Sequence, residues 1–260
     1  MLYIKVEKIF LSIVIPAYNE EKRIGDSLRK IKEYLNKESY SYEIIVVDDG
    51  SKDETVKKVE DITKEWEDIY VLKNEKNQGK GYSVRRGILS AKGEYILFSD
   101  ADLSTPIEEV ERLINFLKEG YDLAIGSRAL KDSKIRIHQP YYRELMGRFF
   151  NFFVQVLLFK GIKDTQCGFK VFRREVAKEL FSQQKIDGFS FDVEILYLAH
   201  KFNYKIKEVP VVWLNSKVSR VNPLKHSLQM FKELLRIRAN CNCHSHPFCH
   251  SRESGNPETP

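Results

Sequence analysis

Two aspartates separated by one residue end an apolar run in the sequence EYILFSDADL, residues 94–103. Asp100 and Asp102 would repel each other, and strands disfavour aspartate, so the pair requires a positively charged partner. Hard divalent cations such as Mg2+ and Mn2+ bind carboxylate oxygens together with the oxygens of a diphosphate. The pair therefore predicts a metal site at which a diphosphate also binds.

Polar residues follow three other apolar runs, which end in PAYNEE, DDGS and GSR. A single acidic strand end could cap a helix, but three acidic ends, in PAYNEE, DDGS and SDAD, exceed what capping requires. In open parallel sheets, ligands bind beyond the carboxyl ends of the strands. We therefore expect one edge of the sheet to gather Tyr18, Glu20, Asp48, Asp49, Asp100, Asp102 and Arg128.

The elements that position these residues alternate along the first half of the chain. β-Branched runs at 11–16, 42–51 and 69–74 are each followed by a segment with helical features, and this alternation continues to Arg128. Continuous apolar strands that alternate with helices are typical of parallel sheets. The pattern predicts an α/β fold whose mostly parallel sheet is covered by helices on both faces.

The pattern changes after Arg128. Residues 145–161, LMGRFFNFFVQVLLFKG, are too short to span a bilayer and predict either a buried helix or a helix lying on a membrane. Strands are predicted in CGFKVFRRE and IKEVPVVW, a helix in DVEILYLAHKFN between them, and an amphipathic basic helix at 223–238. We expect one domain over 1–238 and a disordered tail over 239–260.

Composition excludes several classes of protein. With 260 residues, 42% of them hydrophobic, the chain can bury a sizeable core. Its four cysteines do not form the framework of a disulfide-stapled secreted fold, which favours a reducing cytoplasmic setting. The chain has no signal-peptide pattern and no apolar stretch long enough to span a bilayer, so we expect that it does not cross a membrane by itself.

Charge is distributed unevenly around a net value of +6. Acidic residues outnumber basic ones before Arg128, and basic residues outnumber acidic ones after it. A basic second half suits contact with a phosphorylated ligand or anionic lipid, although an ordinary solvated surface would have the same composition. Nucleic acid is disfavoured because the acidic edge would repel its backbone. The Cys/His-rich tail lacks a scaffold that could close around zinc.

Two common phosphate-binding loops are absent from the sequence. Neither G-x-G-x-x-G nor G-x-x-x-x-G-K-[ST] follows the first strand, and GKGYSVRRG after the third strand has neither spacing. Another device must therefore neutralise a bound phosphate. A divalent cation held by Asp100 and Asp102 would do so.

The motifs IVIPAYNEE, IIVVDDGSKDET, NQGKGYSVRRG, ILFSDADLSTP and AIGSR together resemble the nucleotide-sugar domain of family 2 inverting glycosyltransferases, whose fold is called GT-A. The later segments DTQCGFKVFRRE, GFSFDVEILYLA and NSKVSR are most similar to those of dolichyl- and polyprenyl-phosphate β-glucosyltransferases. The resemblance extends from residue 11 to about residue 238. It implies a nucleotide-sugar half at 11–128 and an acceptor half at 129–238.

The resemblance also implies roles for individual residues. Donor binding around the nucleotide base would involve Pro16, Tyr18, Glu20, Val46 and Asp48, and Asp49 would also bind substrate. Ribose, metal and diphosphate would be bound by Asp100, Ala101 and Asp102, with Asp102 the more direct metal ligand. Lys80 and Arg128 suit the diphosphate or the edge of the transferred sugar, since lysine is a point charge and arginine a planar fork. Ser216, Lys217 and Arg220 would lie in a loop that closes over both phosphates.

The acceptor decides whether a general base is needed. A sugar hydroxyl needs one, and Asp192 in FDVE lies where related enzymes place it. A lipid phosphate, whose second pKa is about 6, is already largely ionised and needs cations to position it. In that case Asp192 and Glu194 would hold sugar hydroxyls or orient Lys170 and Arg173. The basic second half favours the phosphate acceptor.

The resemblance thus implies an inverting, Mg2+- or Mn2+-dependent transfer of a hexose, taken as glucose, from a UDP-sugar to dolichyl or undecaprenyl phosphate. The alternatives are a saccharide hydroxyl acceptor, a GDP-mannose donor, or a binding module without turnover. A lipid acceptor implies peripheral contact with the cytoplasmic face of a membrane through residues 145–161 and the helix at 223–238. A membrane-anchored partner protein would be another way to hold the chain there.

Overall fold

The first half of the chain folds into the predicted alternation of strands and helices. The computed structural model describes residues 8–137, 141–214 and 223–241. Its first strands are β1 (Leu11–Ala17), β2 (Tyr42–Asp48), β3 (Ile69–Lys73), β4 (Tyr95–Ser99) and β5 (Leu123–Ser127). The helices that follow the first four of these strands are α1 (Ile24–Leu35), α2 (Thr55–Thr63), α3 (Lys80–Ser90) and α4 (Val110–Lys118), the last one preceded by a 3-10 turn at Ile107–Glu109.

The second half contains β6 (Lys134–Ile137), α5 (Tyr141–Leu157), β7 (Phe169–Arg173), α6 (Arg174–Gln183), α7 (Phe191–Lys201), β8 (Ile206–Pro210), β9 (Val212–Leu214) and α8 (Pro223–Cys241). The sequence patterns had not indicated β6 or α6. The predicted single strand IKEVPVVW is divided at Val211, whose N–H donates to Ser127 O while its carbonyl accepts from Lys134 N. Beyond Val211 the chain leaves the main sheet, and β9 pairs with β6.

Seven strands form the main sheet in the order β3-β2-β1-β4-β7-β5-β8. β7 runs antiparallel to both β4 and β5, and the other neighbouring pairs are parallel. The prediction of a mostly parallel sheet is therefore confirmed. The chain extends from β1 to β2 on one side and later returns to β4 on the other, which creates the kind of switch point where ligands bind in α/β sheets.

Helices cover both faces of this sheet, as predicted. On one face Ile13 and Ile15 of β1 pack with residues of α1, α2 and α4. On the other face Val14, whose side chain points the opposite way along the same strand, packs with residues of α3, α6 and α7. The strands are therefore buried on both sides, which explains their continuous apolar sequences.

Helix α5 is buried on one side only. Val154 lies in the core, and the ring of Phe153 contacts that of Phe231 in α8 at a centroid distance of 5.3 Å. The opposite side exposes a row of large apolar residues: Tyr141, Leu145, Phe149, Phe152 and Val156. The predicted burial thus holds for one side of the helix, and the alternative, a helix that lies on a membrane, stays a prediction. Among the described residues, no helix has the length and apolar content needed to span a bilayer.

Helix α8 extends to Cys241, beyond residue 238 where the predicted helix ended. The domain boundary at residue 238 and the disorder of the tail stay predictions. The tail beyond Cys241 lies outside the described residues. Ser216, Lys217 and Arg220 also lie outside them, and their role stays a prediction.

Candidate active site

A cavity of about 750 Å3 opens at the carboxyl ends of β1, β4 and β5, within the size range of small-molecule sites. The structure brings nine of the predicted residues into its wall: Pro16, Tyr18, Glu20, Asp49, Lys80, Asp100, Ala101, Asp102 and Arg128. Four others lie behind the wall: Val46, Asp48, Asp192 and Glu194. Val46 in particular is fully buried in the core, because β2 is covered on both faces.

The two aspartates that end β4 face different cations. Asp100 forms an ion pair of 2.7 Å with Lys80, the first residue of α3. Asp102 accepts a hydrogen bond from Ser104 N at 3.0 Å and lies 3.6 Å from the Arg23 guanidinium. Burial and the neighbouring charge of Asp100 raise the pKa of Asp102. The nearby Arg23 thus does not offset burial and the repulsion by Asp100 at Asp102.

The position of Asp100 depends on β7, which is inserted beside β4. Asp100 N donates to Gly168 O at 3.0 Å, and Gly168 directly precedes β7. A Cβ atom at residue 168 would lie only 2.0 Å from Asp100 Oδ2, so this contact requires glycine. After Asp102 the chain turns through Leu103, which has a positive φ of 46°. A bulky residue in this conformation is unusual and indicates a constrained turn at the site.

The acidic pair fits a divalent cation that is shared with a diphosphate. No group of three or more potential His, Cys, Asp or Glu ligands occurs in the described ranges. Mg2+ characteristically binds one or two carboxylates and takes its remaining ligands from substrate phosphates and water. Asp100 and Asp102 supply such a donor set.

Arg23 is a site residue that sequence reasoning missed. Its guanidinium donates to both carboxylate oxygens of Glu20, one of them at 2.8 Å, and also lies near Asp102. The hydrogen bonds to Glu20 are the main cause of the raised pKa of Arg23. Glu20 and Arg23 are three residues apart in PAYNEEKR, a spacing at which charged side chains meet at the start of a helix.

The two aspartates of DDGS support the neighbouring loops. Asp48 Oδ2 accepts hydrogen bonds from the N–H groups of Gly50 and Ser51, whereas its buried Oδ1 has no hydrogen-bond partner among the described residues. Asp49 accepts from Gln78 N and Gly79 N, each at 2.9 Å. Asp49 thereby holds the loop that leads into Lys80.

Arg128 is held in place from two sides. Its Nε and Nη2 atoms donate to the Asp164 carboxylate at 2.7 and 2.8 Å, and its guanidinium lies 5.4 Å from the centre of the Trp213 ring. Burial alone would lower the pKa of Arg128, but the charge and hydrogen bonds of Asp164, together with Cys167 and Asp100, outweigh burial and raise that pKa. The motif DTQCG contains Asp164, but the sequence does not show that its partner lies 36 residues earlier.

Residues 12–181 match the model of a family described as glycosyl transferase family 2. The chain belongs to this family. Glucosyl-3-phosphoglycerate synthase from Mycobacterium tuberculosis in complex with uridine diphosphate has the same fold, with a TM-score of 0.67 at 21% identity over 89% of this chain and 80% of that one. Its complex with Mn2+, UDP-glucose and phosphoglyceric acid aligns with a TM-score of 0.66 at 20% identity, over 91% and 81% of the two chains. The expected GT-A fold is thus confirmed.

Much higher identity relates this glycosyltransferase to proteins named dolichyl-phosphate beta-glucosyltransferase. The protein of that name from Dictyostelium discoideum is 43% identical over 245 residues, which cover 90% of this chain and 75% of the relative. The one from Homo sapiens is 41% identical over 241 residues, covering 88% and 74%. The resemblance inferred from the motifs is confirmed.

Behind the cavity wall of this glycosyltransferase, Lys170 and Asp192 form a buried ion pair. Lys170 Nζ also donates to Cys167 O at 2.7 Å. Asp192 was considered as a general base, as a residue that holds sugar hydroxyls, and as one that orients Lys170 and Arg173. The structure pairs it with Lys170, whereas Arg173 donates to the carbonyl of Tyr121 at 3.0 Å.

Glu194 supports the part of the wall that α7 faces. Its Oε2 atom accepts hydrogen bonds from Lys185 N at 3.0 Å and Ile186 N at 2.8 Å. Burial raises the pKa of Glu194. Lys185 and Ile186 line the cavity, so Glu194 shapes the site without reaching it.

A second groove of about 700 Å3 lies beside α5 and shares Arg128, Gln166 and Trp213 with the first cavity. Its remaining wall combines the cations Arg148, Lys160 and Lys163 with the apolar side chains Phe152 and Val156. The cavity therefore adjoins a groove whose walls are both basic and apolar.

Proposed function

We propose that this glycosyltransferase transfers glucose from UDP-glucose to a polyprenyl phosphate, dolichyl or undecaprenyl, with inversion at the anomeric carbon. The observation that carries the proposal is the identity of 43% across 90% of the chain to a protein named for dolichyl-phosphate glucosylation. The solved structures that bind UDP and UDP-glucose support the choice of donor.

The donor would lie along the cavity from β1 towards α3. Pro16 and Tyr18 border the end proposed for the base. Behind it lies Asp48, whose Oδ1 has no hydrogen-bond partner in the described part of the chain. Asp100 and Asp102 would hold Mg2+ or Mn2+, which supplies positive charge to the departing diphosphate. Lys80 is placed to share this charge. Burial would lower its pKa, but Asp100, Asp192 and Asp102 together outweigh burial and raise it.

The acceptor phosphate would bind at Arg128, where the cavity meets the groove. Asp164 fixes the guanidinium, so its cationic surface is pre-oriented before the acceptor arrives. The first isoprene units would then follow the groove past Phe152 and Val156. This arrangement lets the rest of the lipid chain remain in a membrane.

An ionised phosphate oxygen would attack the anomeric carbon as the bond from that carbon to the UDP oxygen breaks. The new bond joins glucose to the lipid phosphate, and UDP leaves with the electron pair of the broken bond. No proton needs to be removed, since the acceptor is already ionised at neutral pH. The burial of Asp192 against Lys170 supports this scheme over a saccharide hydroxyl acceptor, which would require a base at the reacting centre.

The exposed apolar side of α5 would make peripheral contact with the cytoplasmic face of the membrane. Arg148 and Lys160 of the adjoining groove would attract anionic headgroups. Binding would then leave the open end of the groove near the bilayer surface.

The test combines the purified protein with Mg2+ or Mn2+, a panel of UDP- and GDP-sugars, and a short-chain polyprenyl phosphate, and detects lipid-linked sugar by mass. Product from UDP-glucose is expected, and Glu119→Gln, at an exposed position, is the control that should match the wild type. Product only with saccharide acceptors, or only from GDP-mannose, would contradict the proposal. Release of hexose without lipid product would contradict the assigned acceptor.

A further inference from the structure

Helix α8 supplies one face of the cavity wall. Gln229, Glu233 and Arg236 all line the cavity, and their spacing places them on one side of the helix. The sequence had indicated only a basic amphipathic helix here, suited to a membrane surface. The structure shows that this helix also reaches the site.

Glu233 is the unusual member of this set. It is 5% exposed, and its Oε1 atom accepts a hydrogen bond from Gln229 Nε2 at 2.9 Å. Its Oε2 atom is buried without a hydrogen-bond partner in the part of the chain that the structure describes. A buried carboxylate oxygen without a partner is costly, so its presence in a cavity wall points to a ligand that completes it.

Charge limits what that ligand group is. A diphosphate or lipid phosphate would be repelled by the Glu233 carboxylate. A divalent cation is better served by the two carboxylates of Asp100 and Asp102 than by Glu233, a single carboxylate whose Oε1 already accepts from Gln229. A neutral hydrogen-bond donor such as a sugar hydroxyl meets both conditions.

The contacts of Glu233 place it at the α3 end of the cavity. A Cβ atom at Gly188 would lie 2.7 Å from Glu233 Oε1, so the 187–188 backbone passes directly against the carboxylate. The same backbone touches the start of α3, since a Cβ atom at Gly79 would lie 2.4 Å from Asp187 O. Gly79 precedes Lys80, which binds Asp100. Glu233 is therefore near the proposed diphosphate and hexose, and not on the β1 side proposed for the base.

We infer that Glu233 determines donor-sugar specificity: its Oε2 accepts a hydrogen bond from a hydroxyl group of the transferred hexose while Gln229 holds Oε1. This inference rests on the proposed UDP-glucose donor and adds a residue that recognises the sugar. Arg236, one turn further along the same face, adds a positive charge to the wall without meeting the need of Glu233 for a hydrogen-bond donor.

The test compares the wild type, Glu233→Met and Glu233→Gln on UDP-glucose and its 2-, 3-, 4- and 6-deoxy analogues. Methionine keeps the length of the side chain and removes the acceptor, and Glu119→Met is the matched exposed control. We expect Glu233→Met to lower kcat/KM for UDP-glucose by about ten- to a hundredfold. The affinity for UDP alone, measured by calorimetry, should not change.

One deoxy analogue, the one that lacks the hydroxyl bound by Glu233, should give equal kcat/KM values for the wild type and Glu233→Met. An equal loss on all five donors, a loss of UDP affinity by the same factor, or no loss on UDP-glucose would overturn the inference. If Glu233→Met does not fold, Glu233→Gln carries the same comparison with a smaller expected loss. A wild type without transfer from UDP-glucose would overturn the proposed function and this inference together, whereas normal transfer with unchanged donor selectivity in both variants would overturn the inference alone.

Discussion

In the first half of the chain, the side chains of Asp100 and Asp102 are 35% and 20% exposed at the cavity. In the second half, those of Asp164 and Asp192 are only 7% and 5% exposed. The carboxylates of both halves face a cation of the protein, so the difference lies in their burial. The same residue type is thus left open to a ligand at one edge and closed by the fold in the other half. The exposed carboxylates can bind a ligand, and the buried ion pairs hold the walls of the cavity in place.

This comparison predicts that second-half variants lose stability, whereas Asp100 and Asp102 variants lose activity. The largest effect is expected for Asp192→Asn, which leaves the buried Lys170 charge without its partner. Breaking such a pair lowers the free energy of unfolding by about 3–5 kcal/mol. Urea denaturation measures the loss, with Asp132→Asn at an exposed position as the control. The double change Asp192→Leu with Lys170→Met should recover most of the stability. If Asp192→Asn were as stable as the control, the stabilising role assigned to the buried aspartates would be wrong.

Asp102→Asn is expected to have the opposite effect, a loss of activity without a loss of stability. Removal of a charge that positions the leaving diphosphate should reduce glucosyl transfer by about a hundred- to a thousandfold. The melting temperature should not fall, because burial and repulsion by Asp100 make this carboxylate unfavourable in the ligand-free protein. Initial rates and thermal melts are measured together, and full turnover of the variant would show that Asp102 does not bind the metal.

A smaller effect is expected at the bond between Asp164 and Arg128. Burial alone would raise the pKa of Asp164, but the Arg128 guanidinium outweighs it, with help from Lys170, and holds that pKa below its usual range. The pair therefore stabilises the fold above about pH 4, where the carboxyl of the unfolded chain is ionised, and this contribution is lost as pH falls through the lower folded pKa. At pH 7, Asp164→Asn should lower the free energy of unfolding by about 1–3 kcal/mol.

Urea titrations of the wild type and Asp164→Asn from pH 7 to pH 3 would follow this difference. The difference in the free energy of unfolding should narrow below about pH 4, because the wild-type carboxyl then becomes protonated and neutral, like the amide of the variant. A difference that stays constant or widens in acid would mean that Asp164 acts through packing alone.

The smallest expected effect concerns Cys167, a buried residue that directly precedes Gly168 beside Asp100. Burial raises the pKa of its thiol to about 12, so the thiol stays protonated and inaccessible at pH 8. Peptide mass spectrometry after iodoacetamide treatment should find Cys167 unmodified in the native protein and modified in urea. Rapid labelling of the native protein would show that the wall beside Gly168 opens.

Local pattern was sufficient for the first half of the fold. The alternation of apolar runs and helical segments from residue 11 to 128 predicted five strands and their helices. It could do so because a buried strand is a short continuous apolar run and a helix repeats its apolar residues every three to four positions, so each can be identified from a short stretch of sequence. The polar strand ends then predicted the cavity edge, since parallel strands bring their carboxyl ends together. Val46 shows the limit of this reasoning: a strand buried on both faces does not reveal which residue reaches a ligand.

Short-range sequence patterns could not predict the partners of the site residues. Arg128 meets Asp164, Lys170 meets Asp192, and Gly168 accommodates Asp100 across separations of 22 to 68 residues. The insertion of β7 as the antiparallel strand between β4 and β5 brings Gly168 against Asp100. Contacts of this kind depend on strand order, which is set by packing over the whole chain.

The sequence by itself determined the α/β class, the acidic edge and the family, because these depend on residue types and spacings within single elements. Tertiary structure alone decided which carboxylates stay open to the cavity and which are neutralised inside the wall. It also brought Glu233, more than a hundred residues after Asp102, into the same cavity. The physical reason is that burial and ion pairing belong to pairs of elements, and no single segment of the sequence contains both members.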